Sequence, residues 1–195
     1  MIETTNVTHD TSDAMEKLKK PLKASEISLL PKSVITSRNG DVYAIVFPYK
    51  DARVDMNRLD EVFGLRWNMY TEVTPAGEGA VVKVRVSVFD DEEFTSVERS
   101  AVSFAEQLTQ DALKGAESDA LKRVGFAFGI GRELYEMGPF YVRLENGEYR
   151  MQGNVPKMNG GMAGWKMELD GGRVKILDKK GAVRYEGRIG SQRTA

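Results

Sequence analysis

A strict alternation of apolar and polar residues predicts a β-strand over residues 80–89. Four valines share one side of this strand: Val82, Val84, Val86 and Val88. Lys83 and Arg85 lie on the other side, two positions apart. The segments 68–74 and 94–102 also have strand-like composition, and turn residues separate both from 80–89. We therefore expect three antiparallel strands in one sheet.

Apolar residues at helical spacing predict a long helix from about residue 104 to residue 135. Its buried stripe is expected to contain Leu113, Ala116, Ala120, Leu121, Val124 and Phe128. A second helix is predicted over residues 51–63, because aspartate is a good N-cap and Gly64 suits the C-terminal cap. A short helix is expected over residues 13–20.

Glycine-containing dipeptides indicate three β-hairpins, because glycine tolerates the positive φ angles of tight turns. These hairpins are expected around Asn39-Gly40, Asn146-Gly147 and Lys180-Gly181. For Asn146-Gly147, we expect the strands on its two sides to pair with each other. The glycine-rich residues 153–164 are expected to form a mobile loop.

The composition is that of a globular protein, with 41% apolar and 29% charged residues. Because the chain has no cysteine, disulfides, iron–sulfur clusters and thiolate zinc sites are excluded. The single histidine, His9, cannot build a histidine-based catalytic triad or metal cluster. No apolar run approaches the roughly 20 residues of a membrane span. We therefore predict a soluble, cytoplasmic protein that contacts no membrane.

The formal net charge of −1 is unevenly distributed along the chain. Residues 51–140 carry ten basic and seventeen acidic side chains, whereas residues 141–195 carry eleven basic and six acidic ones. A basic C-terminal third is compatible with a polyanionic partner, a polar subunit interface or an ordinary solvated surface. Composition alone does not choose among these three.

Two motifs look like ligand sites but lack the required context. Gly125, Gly129 and Gly131 lie near the end of a predicted helix, whereas a phosphate-binding glycine loop precedes a helix. The four consecutive carboxylates from Asp90 to Glu93 could suggest magnesium, but two-metal sites need ligands from several elements. We therefore expect neither a nucleotide cofactor nor a metal ion.

Several cations lie close to aromatic residues or share one face of an element. Lys83 and Arg85 are neighbours on one strand face, and Arg66 directly precedes Trp67. Cations interleaved with aromatic side chains suit the phosphates and stacked bases of a single-stranded nucleic acid. Ordinary surface ion pairing explains the same pattern, so spacing alone leaves both interpretations open.

The segment 114–135 resembles the signature helix of the Rad-fifty-two family of single-strand annealing proteins. Its Asp119-Ala-Leu-Lys-Arg123 run followed by Phe128-Gly129 carries the similarity. A second similar stretch begins at Arg53-Val54 and ends at Phe63-Gly64, shortly before a tryptophan. The Rad-fifty-two/Rad-twenty-two family includes phage-encoded members of the Sak type, and the chain is most similar to those.

The resemblance implies an α+β fold, in which a small antiparallel β-sheet packs on one long α-helix and subunits join into a ring. It divides the chain into three expected parts. Residues 1–23 would be a flexible N-terminal segment, residues 24–136 the annealing core, and residues 137–195 a basic C-terminal β-hairpin extension.

The resemblance also implies function. The chain is expected to be a recombination and repair mediator that anneals complementary DNA strands without ATP, without a cofactor and without enzymatic chemistry. The family motifs place Arg53, Lys122 and Arg123 in a DNA groove, and the strand-face pattern adds Lys83 and Arg85. The candidate DNA-binding set is completed by Arg66 and Arg132. The carboxylates of Glu117 and Asp119 are expected to orient these cations.

The expected partners are single-stranded DNA and further copies of the chain, with duplex DNA at a second site and a host or phage single-strand DNA-binding protein as additional candidates. Two alternative functions remain open at this point. The first is a replication-type single-strand binding module that does not anneal. The second is a metal-dependent nuclease.

Overall fold

A computed structural model describes residues 11–89 and 96–189. In chain order its elements are α1 (Thr11–Lys19), a 3₁₀ turn (Ala24–Glu26), β1 (Ile27–Thr36), β2 (Val42–Lys50), α2 (Ala52–Phe63), β3 (Trp67–Ala76), β4 (Gly79–Phe89), β5 (Ser96–Ala105), α3 (Gln110–Phe128), a second 3₁₀ turn (Arg132–Tyr135), β6 (Phe140–Leu144), β7 (Tyr149–Gln152), β8 (Val155–Met158), β9 (Lys166–Asp170), β10 (Arg173–Leu177) and β11 (Val183–Arg188). They form two compact units, each made from two stretches of the chain. Of the described residues, the first unit comprises 11–21, 51–89 and 96–131, and the second comprises 22–50 and 132–189.

In the first unit, β3, β4 and β5 form an antiparallel sheet with β4 in the centre. The alternating valines of β4 are all buried, so the predicted strand and its apolar face are confirmed. Helix α3 packs against this face through Ala116, Ala120 and Val124. Val82, Ala105 and Ala116 form a continuous apolar cluster beneath the helix.

Helix α3 is shorter than the predicted helix over 104–135. Strand β5 extends to Ala105, because backbone pairing with β4 continues to that residue. The helix begins after Thr109, whose side chain accepts a hydrogen bond from the N–H of Ala112. It ends at Gly129, which adopts the left-handed φ of 106°. Arg132 therefore lies on a 3₁₀ turn of the second unit and not on the long helix.

A buried arginine joins α1 to α2. One guanidinium nitrogen of Arg58 donates hydrogen bonds to the backbone carbonyls of Lys17 and Lys20, at 3.1 and 2.8 Å. Those carbonyls belong to the C-terminal end of α1, where a positive charge interacts favourably with the helix dipole. At the other end of α2, the indole N–H of Trp67 donates to the Asp60 carboxylate at 2.8 Å.

The second unit contains two three-stranded antiparallel sheets, β1-β2-β6 and β9-β10-β11, together with the β7-β8 hairpin. The buried side of the first sheet includes Ala44, Val46 and Val142, and that of the second includes Val174 and Ile176. The rings of Phe140 and Tyr185 contact each other at 5.2 Å between centroids, which joins the two buried sides in one core.

Arg184 is the polar centre of this unit. Its guanidinium group donates to both carboxylate oxygens of Glu148, at 2.9 and 2.8 Å, and to Asp178 at 3.3 Å. It also lies 5.3 Å from the centre of the Trp165 ring. Hydrogen bonds from Arg184 are the main reason that the pKa of Glu148 is lowered. The network therefore stays ionised at neutral pH and holds the surrounding strands together.

The hairpins at Asn39-Gly40 and Lys180-Gly181 are confirmed, as β1-β2 and β10-β11. The prediction of a hairpin around Asn146-Gly147 is wrong, because β6 pairs with β2, and β7 pairs with β8. Gly147 does form a turn with a φ of 91°, but the strands on its two sides belong to different sheets. Residues 153–164 are also not a continuous loop, since β8 lies within them.

The architecture is α+β with antiparallel sheets, as expected. The expectation of one small sheet on one long helix was too simple, because the described residues form three helices and several sheets. The predicted acidic turn at 90–93, His9 and residues 190–195 lie outside the described residues.

Candidate nucleic-acid interface

Helix α3 presents two adjacent cations on the side that does not pack against the sheet. Its apolar stripe is buried, which fixes the rotation of the helix about its axis. Lys122 and Arg123 consequently reach the surface, with 27% and 59% of their side chains exposed. The helix thus presents these two members of the predicted set next to each other at the surface.

One carboxylate holds both cations. Asp119 lies 3.4 Å from the Lys122 amino group and 3.2 Å from the Arg123 guanidinium group, and it accepts a hydrogen bond from the Ser103 hydroxyl at 3.1 Å. Partial burial alone would raise the pKa of Asp119, but Lys122, Ser103 and Arg123 together outweigh burial and lower it. Asp119 thus contacts both cations, as its predicted orienting role requires, whereas Glu117 accepts a hydrogen bond from Thr71 at 2.7 Å.

A third cation continues this row along β5. Helix α3 and strand β5 run antiparallel to each other. Asp119 contacts Ser103, whereas Phe128, later in the helix, lies beside Arg99, earlier in the strand. The Arg99 guanidinium is 6.0 Å from the centre of the Phe128 ring. Arg99, Asp119, Lys122 and Arg123 therefore share one side of the unit, which we call the α3–β5 seam. Three cations and one carboxylate give the seam a net charge of +2.

Sequence reasoning missed Arg99 because the face occupied by a β5 residue depends on strand register. Arg99 pairs with Val86, and paired residues in an antiparallel sheet point to the same side. A correct alignment of β5 against the alternating valines of β4 would have found it.

Lys83 and Arg85 lie on the opposite face of the sheet from α3. They alternate with the buried valines of β4, so they cannot face the helix. The Arg85 guanidinium lies 5.0 Å from the centre of the Tyr70 ring, on the directly paired residue of β3. The structure thus brings Lys83 together with Arg85, but it separates this pair from Lys122 and Arg123 by the thickness of the sheet.

The remaining predicted residues occupy three separate places. Arg53 is in the first turn of α2, is 85% exposed and lies 3.8 Å from the Asp51 carboxylate. Arg66 connects α2 to β3, and its backbone carbonyl accepts a hydrogen bond from the N–H of Phe89 at 2.8 Å. Arg132 is exposed on the 3₁₀ turn of the second unit. None of these three belongs to the α3–β5 seam.

Within residues 11–89 and 96–189, no group of three or more histidine, cysteine, aspartate or glutamate side chains could hold a metal ion. Among the same residues, no helix is both long and apolar enough to cross a membrane.

A seam of cations along a helix is a surface suited to the phosphate backbone of a nucleic acid. Residues 10–148 match the model of the Rad52/22 family of double-strand break repair proteins. This match covers more than half of the chain, so the chain belongs to that family. The resemblance carried by the α3 and α2 motifs is confirmed, while the phage Sak-type subgroup stays a prediction.

Two relatives match with similar identity. The single-stranded DNA-binding protein DdrA of Deinococcus radiodurans is 33% identical over 126 residues, which are 65% of this chain and 56% of DdrA. The protein of the same name from Deinococcus deserti is 33% identical over 131 residues, 67% of this chain and 61% of the relative. The chain thus spans less than two thirds of the length of either relative. No solved structure matches it.

Proposed function

We propose that this chain binds single-stranded DNA along the α3–β5 seam and anneals complementary strands without ATP, in the recombination and repair of DNA. The observation that carries the proposal is the pair of cations Lys122 and Arg123 around a single carboxylate, with Arg99 on the same side of the unit. Membership of the Rad52/22 family and similarity to proteins named for single-stranded DNA binding support it.

The electrostatics of the seam fit a phosphate backbone. The chain as a whole has a net charge of −1, so attraction to DNA has to come from a local surface. The seam supplies that surface, because its cations outnumber its carboxylate three to one. A phosphate that binds there replaces Asp119 as the counter-charge and releases condensed cations from the strand.

Annealing needs no fuel once two strands are held close together. Pairing and stacking release about 1.4 kcal/mol per base step, so two strands that are correctly aligned continue to pair spontaneously. The protein has to hold a strand extended and reduce the repulsion between two polyanions. Neither task needs a covalent step, and we propose that the chain is not an enzyme.

We further propose that the chain works as a homo-oligomer, with a ring as the expected form. The sheet β3-β4-β5 has β3 at one edge and β5 at the other, and within the described residues neither edge strand pairs with a further strand. Open edges on both sides suit side-by-side association of identical subunits. A phage origin and a single-strand DNA-binding protein as partner also belong to this proposal.

The decisive variant changes Lys122 and Arg123 to alanine together. We expect weaker binding to single-stranded DNA of every base sequence, with the slope of log affinity against log salt reduced by about 1.4, since each lost phosphate contact removes roughly 0.7. Folding should be retained, because alanine is the best helix former. The binding constant at a series of salt concentrations gives the slope.

A matched control removes the same charge elsewhere. Arg173→Ala combined with Lys175→Ala changes two cations of β10 in the second unit, of which Arg173 is exposed and Lys175 lies 3.8 Å from the Glu186 carboxylate. The salt slope of this control should equal that of the unchanged protein. An unaltered slope in the Lys122/Arg123 variant would exclude the seam as the binding site.

An annealing assay distinguishes the proposed function from its two alternatives. We expect complementary strands to pair faster with the protein than without it, in buffer free of ATP and containing a metal chelator. Tight binding with slower pairing would favour a replication-type binding module. Shortened strands in a parallel reaction with magnesium would favour a nuclease.

A further inference from the structure

The sheet face that points away from α3 is open and carries large aromatic side chains. Tyr70 on β3 is 60% exposed and Phe104 on β5 is 55% exposed, although both lie within strands. Val102, beside them on β5, is 50% exposed. These exposed aromatic residues are not needed for the core, because the other face of the same strands already packs against α3.

The strand register places these residues on one diagonal across the face. Tyr70 pairs with Arg85, Lys83 pairs with Val102, and Val81 pairs with Phe104. Tyr70 and Phe104 are therefore two strands and four residues apart, which is about 16 Å for ordinary strand geometry. Lys83 lies between them on the central strand.

The charges of this face cancel. Its positive groups are Lys83 and Arg85, and its negative groups are Glu72 and Glu98. The α3–β5 seam, by contrast, has a net charge of +2. A neutral aromatic face has little long-range attraction for phosphates, whereas it offers flat rings to nucleobases. The open face thus suits nucleobases better than phosphates, and the seam suits phosphates.

Arg85 adds hydrogen-bond donors beside the Tyr70 ring. Its guanidinium group is stacked near that ring, and its buried Nε atom has no hydrogen-bond partner within the described residues. Lys83 likewise forms no ion pair with a described residue, although Glu72 is the directly paired residue on β3. A base stacked on Tyr70 would therefore lie next to two cationic side chains, Arg85 and Lys83.

We propose that this open face, centred on Tyr70 and Phe104, is a stacking surface for the bases of single-stranded nucleic acid, distinct from the α3–β5 seam. The inference rests on the proposed function, since it assigns a second contact surface for the same class of ligand. The seam would bind the phosphates of one stretch of the strand, and the open face would bind the bases of another.

The test compares an oligothymidylate with an abasic oligonucleotide of the same length. The affinity ratio between them measures the contribution of the bases, because both carry the same phosphates. We expect Tyr70→Ala combined with Phe104→Ala to reduce this ratio at least tenfold, since stacking on one aromatic side chain contributes about a factor of ten per base. The salt slope should stay unchanged, because the phosphate contacts remain.

Three further variants make the result specific. Tyr70→Phe keeps a flat ring and should retain most of the base contribution. Tyr135→Ala removes a tyrosine that is 68% exposed in the second unit and should leave the ratio unchanged. The Lys122/Arg123 variant should change the salt slope and preserve the ratio, which is the reverse of the Tyr70/Phe104 result.

Several results would overturn the inference. An unchanged ratio in the Tyr70/Phe104 variant, with an unchanged melting temperature, excludes stacking on these two rings. A changed salt slope shows that the face binds phosphates. Loss of the assembled state in sedimentation, with an unchanged ratio in the remaining subunits, shows that a second copy of the chain covers the face.

Failure of this inference is distinguishable from failure of the proposed function. If the salt slope of the Lys122/Arg123 variant falls as expected while the Tyr70/Phe104 variant keeps the affinity ratio of the unchanged protein, only the stacking surface is excluded. If the unchanged protein binds neither oligonucleotide, both proposals are wrong.

Discussion

At the scale of single residues, Asp119 determines the electrostatic character of the proposed DNA surface. It is the one carboxylate of the α3–β5 seam, and it contacts both Lys122 and Arg123. Its lowered pKa means that it stays ionised at neutral pH, so its negative charge is always present beside the two cations. Asp119 thus holds the cations in place and also competes with a phosphate for them.

We expect Asp119→Asn to strengthen binding to single-stranded DNA at low salt. The change removes one negative charge next to the strand, which is worth about 1 kcal/mol, or roughly fivefold in affinity, for charges a few ångströms apart in water. The asparagine side chain can still accept the hydrogen bond from Ser103. Fluorescence anisotropy of a labelled strand at low and high salt measures the effect. Weaker binding at low salt would mean that Asp119 acts mainly by positioning.

At the scale of elements, local patterns predicted the strands and helices better than their pairing. The alternating valines of β4 and the capped helix α2 follow from neighbouring residues, so both were predictable. The partner of β6 is β2, about a hundred residues earlier, and no local pattern around Asn146-Gly147 reveals it. The same limit explains why Tyr70 and Phe104 were missed, since their shared face depends on strand register.

Two glycines, Gly115 inside α3 and Gly129 directly after it, test where this helix ends. A Cβ atom at Gly129 would meet the Lys19 side chain at 2.8 Å, and the φ of 106° disfavours any other residue. We therefore expect Gly129→Ala to destabilise the fold by about 1 kcal/mol or more. Gly115 lies within the helix with open space around its Cα, so Gly115→Ala should stabilise the fold by about 0.5–1 kcal/mol. Thermal unfolding of both variants checks the signs, and a loss of stability in both would contradict this account of the helix end.

At the scale of the whole molecule, the chain folds into two units that each use two separate stretches of sequence. The family match ends at residue 148, so β7 to β11 lie outside it. The expected functional division into residues 1–23, 24–136 and 137–195 stays a prediction. The cations predicted for a single groove also divide. Lys83 and Arg85 lie on one face of the sheet, and Lys122 and Arg123 lie on the helix that covers the other face.

We expect the purified protein to sediment as an assembly much heavier than the 21.7 kDa of one chain. The physical reason is the pair of open sheet edges at β3 and β5, which further copies of the chain can cover. Analytical ultracentrifugation at micromolar concentration, with and without single-stranded DNA, measures the mass. A stable monomer under both conditions would exclude the oligomer.

The carboxylate shared by Lys122 and Arg123 also has a consequence for kinetics. When a strand leaves the seam, the cations are not left bare, because Asp119 resumes its contacts at 3.4 and 3.2 Å. In the proposed function, binding and release are then an exchange of one anion for another, which lowers the cost of release. We expect a strand held in this way to shift its position and test successive alignments with a complementary strand. The same exchange would let the finished duplex depart without an external source of energy.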